Sequence, residues 1–300
     1  MIKYRQLNLD DKPGFDRALQ LLQPASSDLT FTNLFMWKHN YGLEVYYDSA
    51  TDFWILFARP PLPKWKPFFL PPIGAWSDSG KLGGALALME ETAQLEKFPL
   101  RIRRAPAQLL ESLQRLDSAF TAKEERYTFD YLYRSADLIN LAGRKYHAKR
   151  NHLNQFMRKY HWEFQTITPQ IAAECLELEE EWFNISKHRE SLTDEEWAMA
   201  TVFNHFSELK VTGGVIRIDG RIQAIAVGEP LNQNTVVVHI EKANTEFDGI
   251  YVAINQLFVK ECWSDWEFIN REEDMGIEGL QKAKLSYHPC GFVEKYSIMK

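Results

Sequence analysis

A chain of 300 residues with 45% apolar, 25% charged and 13% aromatic side chains is long enough to bury a sizeable core, and its composition excludes an intrinsically disordered protein. The net charge of −6 argues against a general nucleic-acid coat while permitting a local basic cleft. No apolar stretch reaches bilayer-spanning length, MIKYRQLNLDDKPGF lacks the apolar run of a signal peptide, and Cys175, Cys262 and Cys290 are few and scattered, so a cytoplasmic protein with reduced thiols and no stable membrane insertion is expected.

In chain order, Lys3–Leu7 reads as a strand and Lys12–Leu22 as a helix. Ser26, Ser27 or Asp28 can cap a second helix running to about His39. Strands are expected at Leu43–Tyr47 and Phe53–Ala58. A proline-rich bend through Pro60, Pro61, Pro63 and Pro67 then leads to an edge-like strand at Phe68–Leu70. A helix near Lys81–Glu96, a strand at Leu100–Arg103, a helix at Pro106–Leu116 and a strand at Thr128–Tyr133 complete the first half. Trp37, Trp54, Trp65 and Trp76 read as core or as packing against proline rather than as platforms for stacked bases.

The next segment, Leu138–Trp162, gathers Arg144, Lys145, Lys149, Arg150, Arg158 and Lys159 with His147, His152 and His161. In an acidic chain such a concentration of cations points to a polyanionic partner. At about 100° per residue a continuous helix aligns Tyr146, Leu153, Phe156, Met157 and Tyr160 into one apolar stripe. Arg144 and Arg158 fall opposite. Lys149 and Arg150 instead flank the line from Tyr146 to Leu153, turned toward the body of the protein, where a cation needs a carboxylate, a phosphate or a water-filled cleft.

The second half repeats the order of the first. Strand Trp162–Ile167 precedes helix Pro169–Ile185, and Thr193 or Asp194 caps another helix to about Phe206. Gly214–Ile218 and Arg221–Val227 form a hairpin about Asp219-Gly220. Strand Thr235–Glu241, helix Ile250–Trp263, strand Trp266–Asn270, helix Glu278–Tyr287 and strand Phe292–Ser297 follow. Each half thus reads strand, two helices, three strands, helix, strand, helix, strand, an order that resembles the GNAT acyltransferase fold. The expected class is α+β: two tandem GNAT-like domains, 1–135 and 136–300, each a mixed, mostly antiparallel sheet flanked by helices, the second including the basic linking helix.

The motifs LINLAGRKYHAKRNHLNQF, NREEDMGIEGLQKAKLSYHP at Asn270–Pro289 and SSDLTFTNLFMW at Ser26–Trp37 resemble a soluble bacterial family related to the C-terminal domain of phosphatidylglycerol lysyltransferase. A tandem pair joined through a basic helix is similar, more distantly, to the Fem-type peptidoglycan aminoacyltransferases. The resemblance implies transfer of an aminoacyl group from aminoacyl-tRNA to an amine or hydroxyl acceptor.

Acyl transfer needs a cradle for the donor, a route for the acceptor's proton and a donor toward the developing oxyanion. Acetyl-coenzyme A users of this fold hold pyrophosphate on a glycine-rich loop after the third central strand. Here that loop, Lys242–Gly249, has one glycine and two carboxylates, so acetyl-coenzyme A is not the leading donor. The first-half equivalent, Ser79–Gly84, is friendlier to phosphate but reads more simply as a capped helix start.

Strand Thr235–Glu241 places His239 and Glu241 on one face, either as a general base with its carboxylate, or as a hydrogen-bonded sheet pair or partners for Lys149 or Arg150. Glu229 is a weaker candidate. On the last helix Lys284 lies beside the apolar stripe of Leu280, Ala283 and Tyr287. It either converges with Lys149 on one anion or pairs with Glu272, Glu273 or Asp274.

On the functional reading, catalytic roles fall to Glu241, His239 and Tyr287, and anion or substrate binding to Arg144, Lys145, Lys149, Arg150, Arg271 and Lys284. Transfer would be direct, since no cysteine or serine nucleophile is indicated. The histidines lack metal-ligand spacing, and no cofactor is assigned; acyl-coenzyme A and aminoacyl-tRNA are the candidate donor substrates. The competing reading is a non-catalytic GNAT-like module that binds an anionic ligand or RNA.

Overall fold

A computed structural model describes residues 2–61, 66–176 and 194–300. Pro63, Trp65, the end of the helix expected to reach Ile185, and Thr193 lie outside the described residues. The chain forms two compact units. The first comprises Met1–Asp130, Glu273–Gly276 and Val293–Lys300; the second comprises Tyr131–Glu272 and Ile277–Phe292.

The strands of the first unit up to Asp130 are β1 (Arg5–Gln6), β2 (Leu43–Asp48), β3 (Phe53–Ala58), β4 (Phe68–Phe69), β5 (Arg101–Pro106) and β6 (Thr121–Glu124). Its helices are α1 (Lys12–Leu22), α2 (Phe31–Met36), α3 (Lys38–Tyr41), α4 (Ser79–Leu95) and α5 (Ala107–Leu116). Then come β7 (Asp130–Arg134), α6 (Ser135–Asn140), α7 (His147–Lys159), β8 (Trp162–Thr166), α8 (helical over 169–176), α9 (Asp194–Asn204) and α10 (Phe206–Leu209). The remainder is β9 (Thr212–Ile218), β10 (Arg221–Pro230), β11 (Thr235–Ala243), α11 (Ile250–Cys262), β12 (Phe268–Asn270), α12 (Glu278–Leu285), β13 (Gly291–Val293) and β14 (Lys295–Met299).

The first sheet has the order β1-β2-β3-β4-β5-β14-β6 and the second β13-β7-β12-β11-β10-β9-β8. Each contains a parallel step, β4 with β5 and β11 with β12. The two orders correspond position by position, but two strands serve the sheet of the other half. The C-terminal strand β14 pairs with β5 and β6, and β7 pairs with β12. The expected single strand Phe292–Ser297 is divided, β13 joining the second sheet and β14 the first. Periodicity identifies an extended segment, but strand pairing is decided by where its side chains find partners. For β14 that partner is a buried set of carboxylates in the first unit.

Those carboxylates also explain the start of α2. Its cap is Thr30, whose Oγ1 accepts from Asn33 N–H. Ser26, Ser27 and Asp28 are engaged elsewhere: Ser26 Oγ donates to Asp28, and Ser27 donates to Asp130 through both N–H and Oγ at 2.8 and 2.9 Å. Lys295 Nζ, fully buried, lies 2.6 Å from Asp130 and 3.6 Å from Glu273 and also binds Asp28, while Arg104 bridges Asp28 and Glu273 at 2.7 and 2.8 Å. The segment read as edge-like, Phe68–Leu70, instead lies between β3 and β5 with Phe68 and Phe69 buried. Its shortness and preceding prolines imitate an edge. Trp54 and Trp76 are buried, and Trp76 Nε1 donates to Pro72 O, in keeping with a core role.

In the second unit the core gathers between the sheet and α11, with Phe258, Ile254, Val236, Ile216 and Phe156 all buried. Fully burying each such side chain contributes about 1.5–3 kcal/mol. The β9–β10 hairpin turns on Asp219 and Gly220, both at positive φ. The basic segment is not one helix. Leu141 at φ 45° and Gly143 at φ 84° end α6 in left-handed conformations before α7 begins.

Helix α7 packs on α11. Gly249, at φ 85°, precedes α11, and a Cβ there would lie 2.5 Å from the His152 carbonyl oxygen. The lone glycine of the Lys242–Gly249 loop therefore permits close approach of two backbones. Gly249→Ala adds both positive-φ strain and this clash, and is expected to lower stability by about 2 kcal/mol or more in urea denaturation.

Candidate functional site

The site begins at a register slip in the second sheet. Val227 pairs with Ile240 and Gly228 with Val238, so His239 is the extra residue of a bulge in β11. Bulges re-aim side chains, and the His239 side chain is fully buried. Its Nε2 lies 3.0 Å from Glu229 Oε1 on β10, and its Nδ1 lies 2.8 Å from Glu272 Oε1 just after β12. Burial opposes protonation of the ring, but hydrogen bonds and charge from Glu229 and Glu272 outweigh it and push the pKa up to about 9. His239 is therefore an imidazolium at neutral pH, donating from both nitrogens.

Glu241, two residues on, makes a different set of contacts. Its Oε1 accepts from Arg271 Nη2 at 2.7 Å and its Oε2 from Asn255 Nδ2 at 2.9 Å. The Arg271 guanidinium lies 4.8 Å from the centre of the Tyr287 ring and 5.6 Å from that of Tyr133. Lys149 Nζ sits 4.0 Å from the Tyr287 ring centre. Among the described residues Lys149 has no carboxylate within ion-pair distance; burial and the nearby Arg271 lower its pKa, with Glu241 pulling the other way. Burial pushes the Tyr287 phenol well above its usual range, so it remains neutral and can donate. The grouping holds two cations, Lys149 and Arg271, around one carboxylate. Arg271 Nη1 is buried and has no hydrogen-bond partner among the described residues. A buried orphan donor costs about 1–3 kcal/mol until an acceptor meets it.

The helix break delivers Lys149 to this place. Tyr146 is fully buried, its OH donates to Tyr287 O at 2.9 Å, and its ring packs edge-on to His288 at 5.3 Å. Lys149 stands one turn later on α7. Arg150 is used structurally: its Nη1 donates to the carbonyls of Leu141 and Gly143, closing the left-handed link after α6. Arg144 is exposed, and Lys145 lies 3.6 Å from Asp137. Arg144, Lys145, His147, Ala148 and Arg150 line an open depression of about 670 Å³.

Of the residues singled out in the sequence, Glu241, Arg271, Tyr287 and Lys149 thus come together. His239 lies beside them with other partners, and Arg144 and Lys145 border the basic depression. Lys284 is buried, but it donates to the backbone carbonyls of Arg271 and Glu272. Glu273 pairs with Arg104 and Lys295, and Asp274 with Arg126 at 3.6 Å, all within the first unit. Sequence reading missed Asn255 and Tyr133. Asn255 carried a signal, as a polar residue on the otherwise apolar, core-facing side of Ile250–Cys262. Tyr133, whose OH donates to Lys284 O, looked like any strand aromatic. No His, Cys, Asp or Glu grouping suited to a metal occurs among the described residues. Nor is any described helix long and apolar enough to cross a membrane.

Residues 19–299 match the family described as phosphatidylglycerol lysyltransferase, C-terminal. A crystal structure of a conserved protein of unknown function from Bacteroides thetaiotaomicron is similar over 100% of both chains, with 34% identity and a TM-score of 0.86. An Agrobacterium fabrum domain described as the C-terminal domain (DUF2156) of a putative lysylphosphatidylglycerol synthetase aligns over 96% of this chain and 91% of that one, at 14% identity and a TM-score of 0.68. At the level of fold alone, FemX (10% identity, 99% and 97% coverage, TM-score 0.61) and a tandem GNAT protein from clavulanic acid biosynthesis (10%, 99% and 97%, 0.51) share the architecture. The fold is thus α+β with two GNAT-like sheets. An uncharacterised protein of Mycoplasmoides gallisepticum is 23% identical over 177 residues, 56% of this chain, and the match spans about half of that protein, 55%.

Proposed function

Because the chain belongs to the family of phosphatidylglycerol lysyltransferase C-terminal domains, we propose that it is an aminoacyltransferase, moving an aminoacyl group from aminoacyl-tRNA directly to an amine or hydroxyl acceptor in the cytoplasm. The observation that carries this reading is the buried Arg271 Nη1, unpartnered among the described residues, beside Lys149, Tyr287 and the Glu241 carboxylate that orients the guanidinium. An ester carbonyl seated there meets donors pre-aligned for the oxyanion that forms as the acceptor attacks. The acceptor's nitrogen or oxygen bonds to the carbonyl carbon, the bond to the ribose oxygen breaks, and the acceptor's proton ends on that oxygen. Arg144 and Lys145 hold tRNA phosphate at the depression. Acyl-coenzyme A fits less well, since the start of α11 is closely approached by the α7 backbone at Gly249.

One observation favours the binding-module alternative. His239 is already protonated and both Glu241 oxygens are engaged, so neither is an available base. Aminoacyl-tRNA binding at graded salt, followed by transfer of a labelled aminoacyl group, separates the two. The logarithm of the affinity should fall with the logarithm of salt at a slope of about 0.7–0.9 per neutralised phosphate. Arg144→Ala and Lys145→Ala should each reduce that slope by about one. Steep binding without transfer to any acceptor supports the module; a flat response unchanged by either substitution overturns both.

A further inference from the structure

We infer that His239, bridging Glu229 and Glu272 through both ring nitrogens, is a positioning residue that sets the direction of the Arg271 guanidinium. The bridge crosses three adjacent strands, from Glu229 on β10 through His239 on β11 to Glu272 after β12. Glu272 has a left-handed backbone, φ 55°, a conformation that is unfavourable for a residue other than glycine. Several contacts hold it there: Glu272 N–H donates to Asn270 Oδ1 at 2.8 Å, and its carbonyl accepts from Tyr131 N–H and Lys284 Nζ, each at 3.1 Å.

Arg271 is the residue before that turn, and its own N–H donates to Tyr131 O at 3.0 Å. Its backbone is thereby fixed on one side by β7 and on the other by the turn that His239 secures. The side chain then folds back to Glu241, two residues from His239 on the same strand. A neutral imidazole carries a single N–H, so loss of a proton turns a ring lone pair toward one of the two carboxylates and opens that arm of the bridge.

The charges facing the ring are Glu229 from β10 and Glu272 from the segment after β12. Glu241 on β11 faces Arg271; Lys284 from α12 reaches the carbonyls of Arg271 and Glu272; Lys149 from α7 faces Arg271 and Glu241. With His239 charged, burial is outweighed and its ring keeps both protons up to about pH 9. This role gives the proposed aminoacyl site its alignment and rests on that reading for its meaning, while its test needs no tRNA.

The test is a ¹⁵N NMR titration of the whole protein with labelled histidine and arginine, from pH 6 to pH 10 in steps of about half a unit, a span that brackets the range over which a perturbed histidine titrates. The Arg271 guanidinium signals should move with the same midpoint as the His239 ring. In Glu229→Gln both midpoints should fall together, by about one unit or more, because one opposite charge is gone. Lys149 also has a lowered pKa, but Glu229 does not face it, so a joint fall reports His239. Arg271 signals that stay still through the His239 titration, or a His239 midpoint near that of a free histidine, overturn the inference. Absence of aminoacyl-tRNA binding would remove the proposed function and leave this result standing.

Discussion

Replacing Lys295 with methionine is expected to destabilise the first unit by about 3–5 kcal/mol, as removal of one member of a buried ion network does. Lys295 is fully buried against Asp28, Asp130 and Glu273, so the variant takes the lysine charge from all three carboxylates, while Arg104 still reaches Asp28 and Glu273. Burial opposes charge on Lys295, but those carboxylates raise its pKa overall. The stabilisation is therefore complete below the ordinary lysine value and is lost only as pH rises through the higher folded one. Burial also works against ionisation of Asp28, yet Arg104 and Lys295 hold its pKa down to about 2. That contribution is present above the ordinary aspartate value and disappears as pH falls through about 2. Urea denaturation at pH 7 measures the loss. Adding Asp130→Asn should recover part of it, because the second substitution removes a stranded charge. A loss below about 1 kcal/mol would mean that Lys295 does not organise this network.

The second large effect is on transfer. Arg271→Ala should reduce the rate of aminoacyl transfer by about 100-fold or more, the usual consequence of removing an oxyanion donor. Binding of aminoacyl-tRNA should change far less, because the phosphate contacts proposed for it lie with Arg144 and Lys145. Arg271→Lys keeps a charge but not the planar fork that meets Glu241 and an acceptor atom together, so it should restore only part of the rate. Single-turnover transfer alongside equilibrium binding measures both quantities. Transfer by Arg271→Ala within about threefold of the parent, when removal of an oxyanion donor is expected to cost far more, would exclude the role.

Much of the fold was legible locally. Lys12–Leu22 and Phe53–Ala58 were expected at the bounds observed, and the Asp219-Gly220 hairpin announced itself through residues suited to positive φ. Lys149 was legible because a cation beside an apolar stripe has few comfortable solutions. Arg150 presented the same pattern, yet it closes the end of α6. Both readings used the helical phase from Tyr146 onward, which the structure keeps; the break at Leu141 and Gly143 lies before it and supplies the carbonyls that Arg150 meets. His239 and Glu241 were expected to act together by alternation, but the bulge after Val238 gives each its own partners.

By itself the sequence determined the order and type of the elements, the acidic chain with one basic segment, and the resemblance carried by Asn270–Pro289. Those follow from interactions within a few residues: periodicity, caps and turn chemistry. Only the tertiary structure decided that β7 and β14 each serve the sheet of the other half, that Glu272 joins His239, and that Arg271 keeps an N–H without an acceptor among the described residues, beside Lys149 and Tyr287. These depend on contacts between residues far apart in the chain. Buried charges accept only partners that satisfy them in three dimensions, and spacing along the chain does not encode which partners those will be.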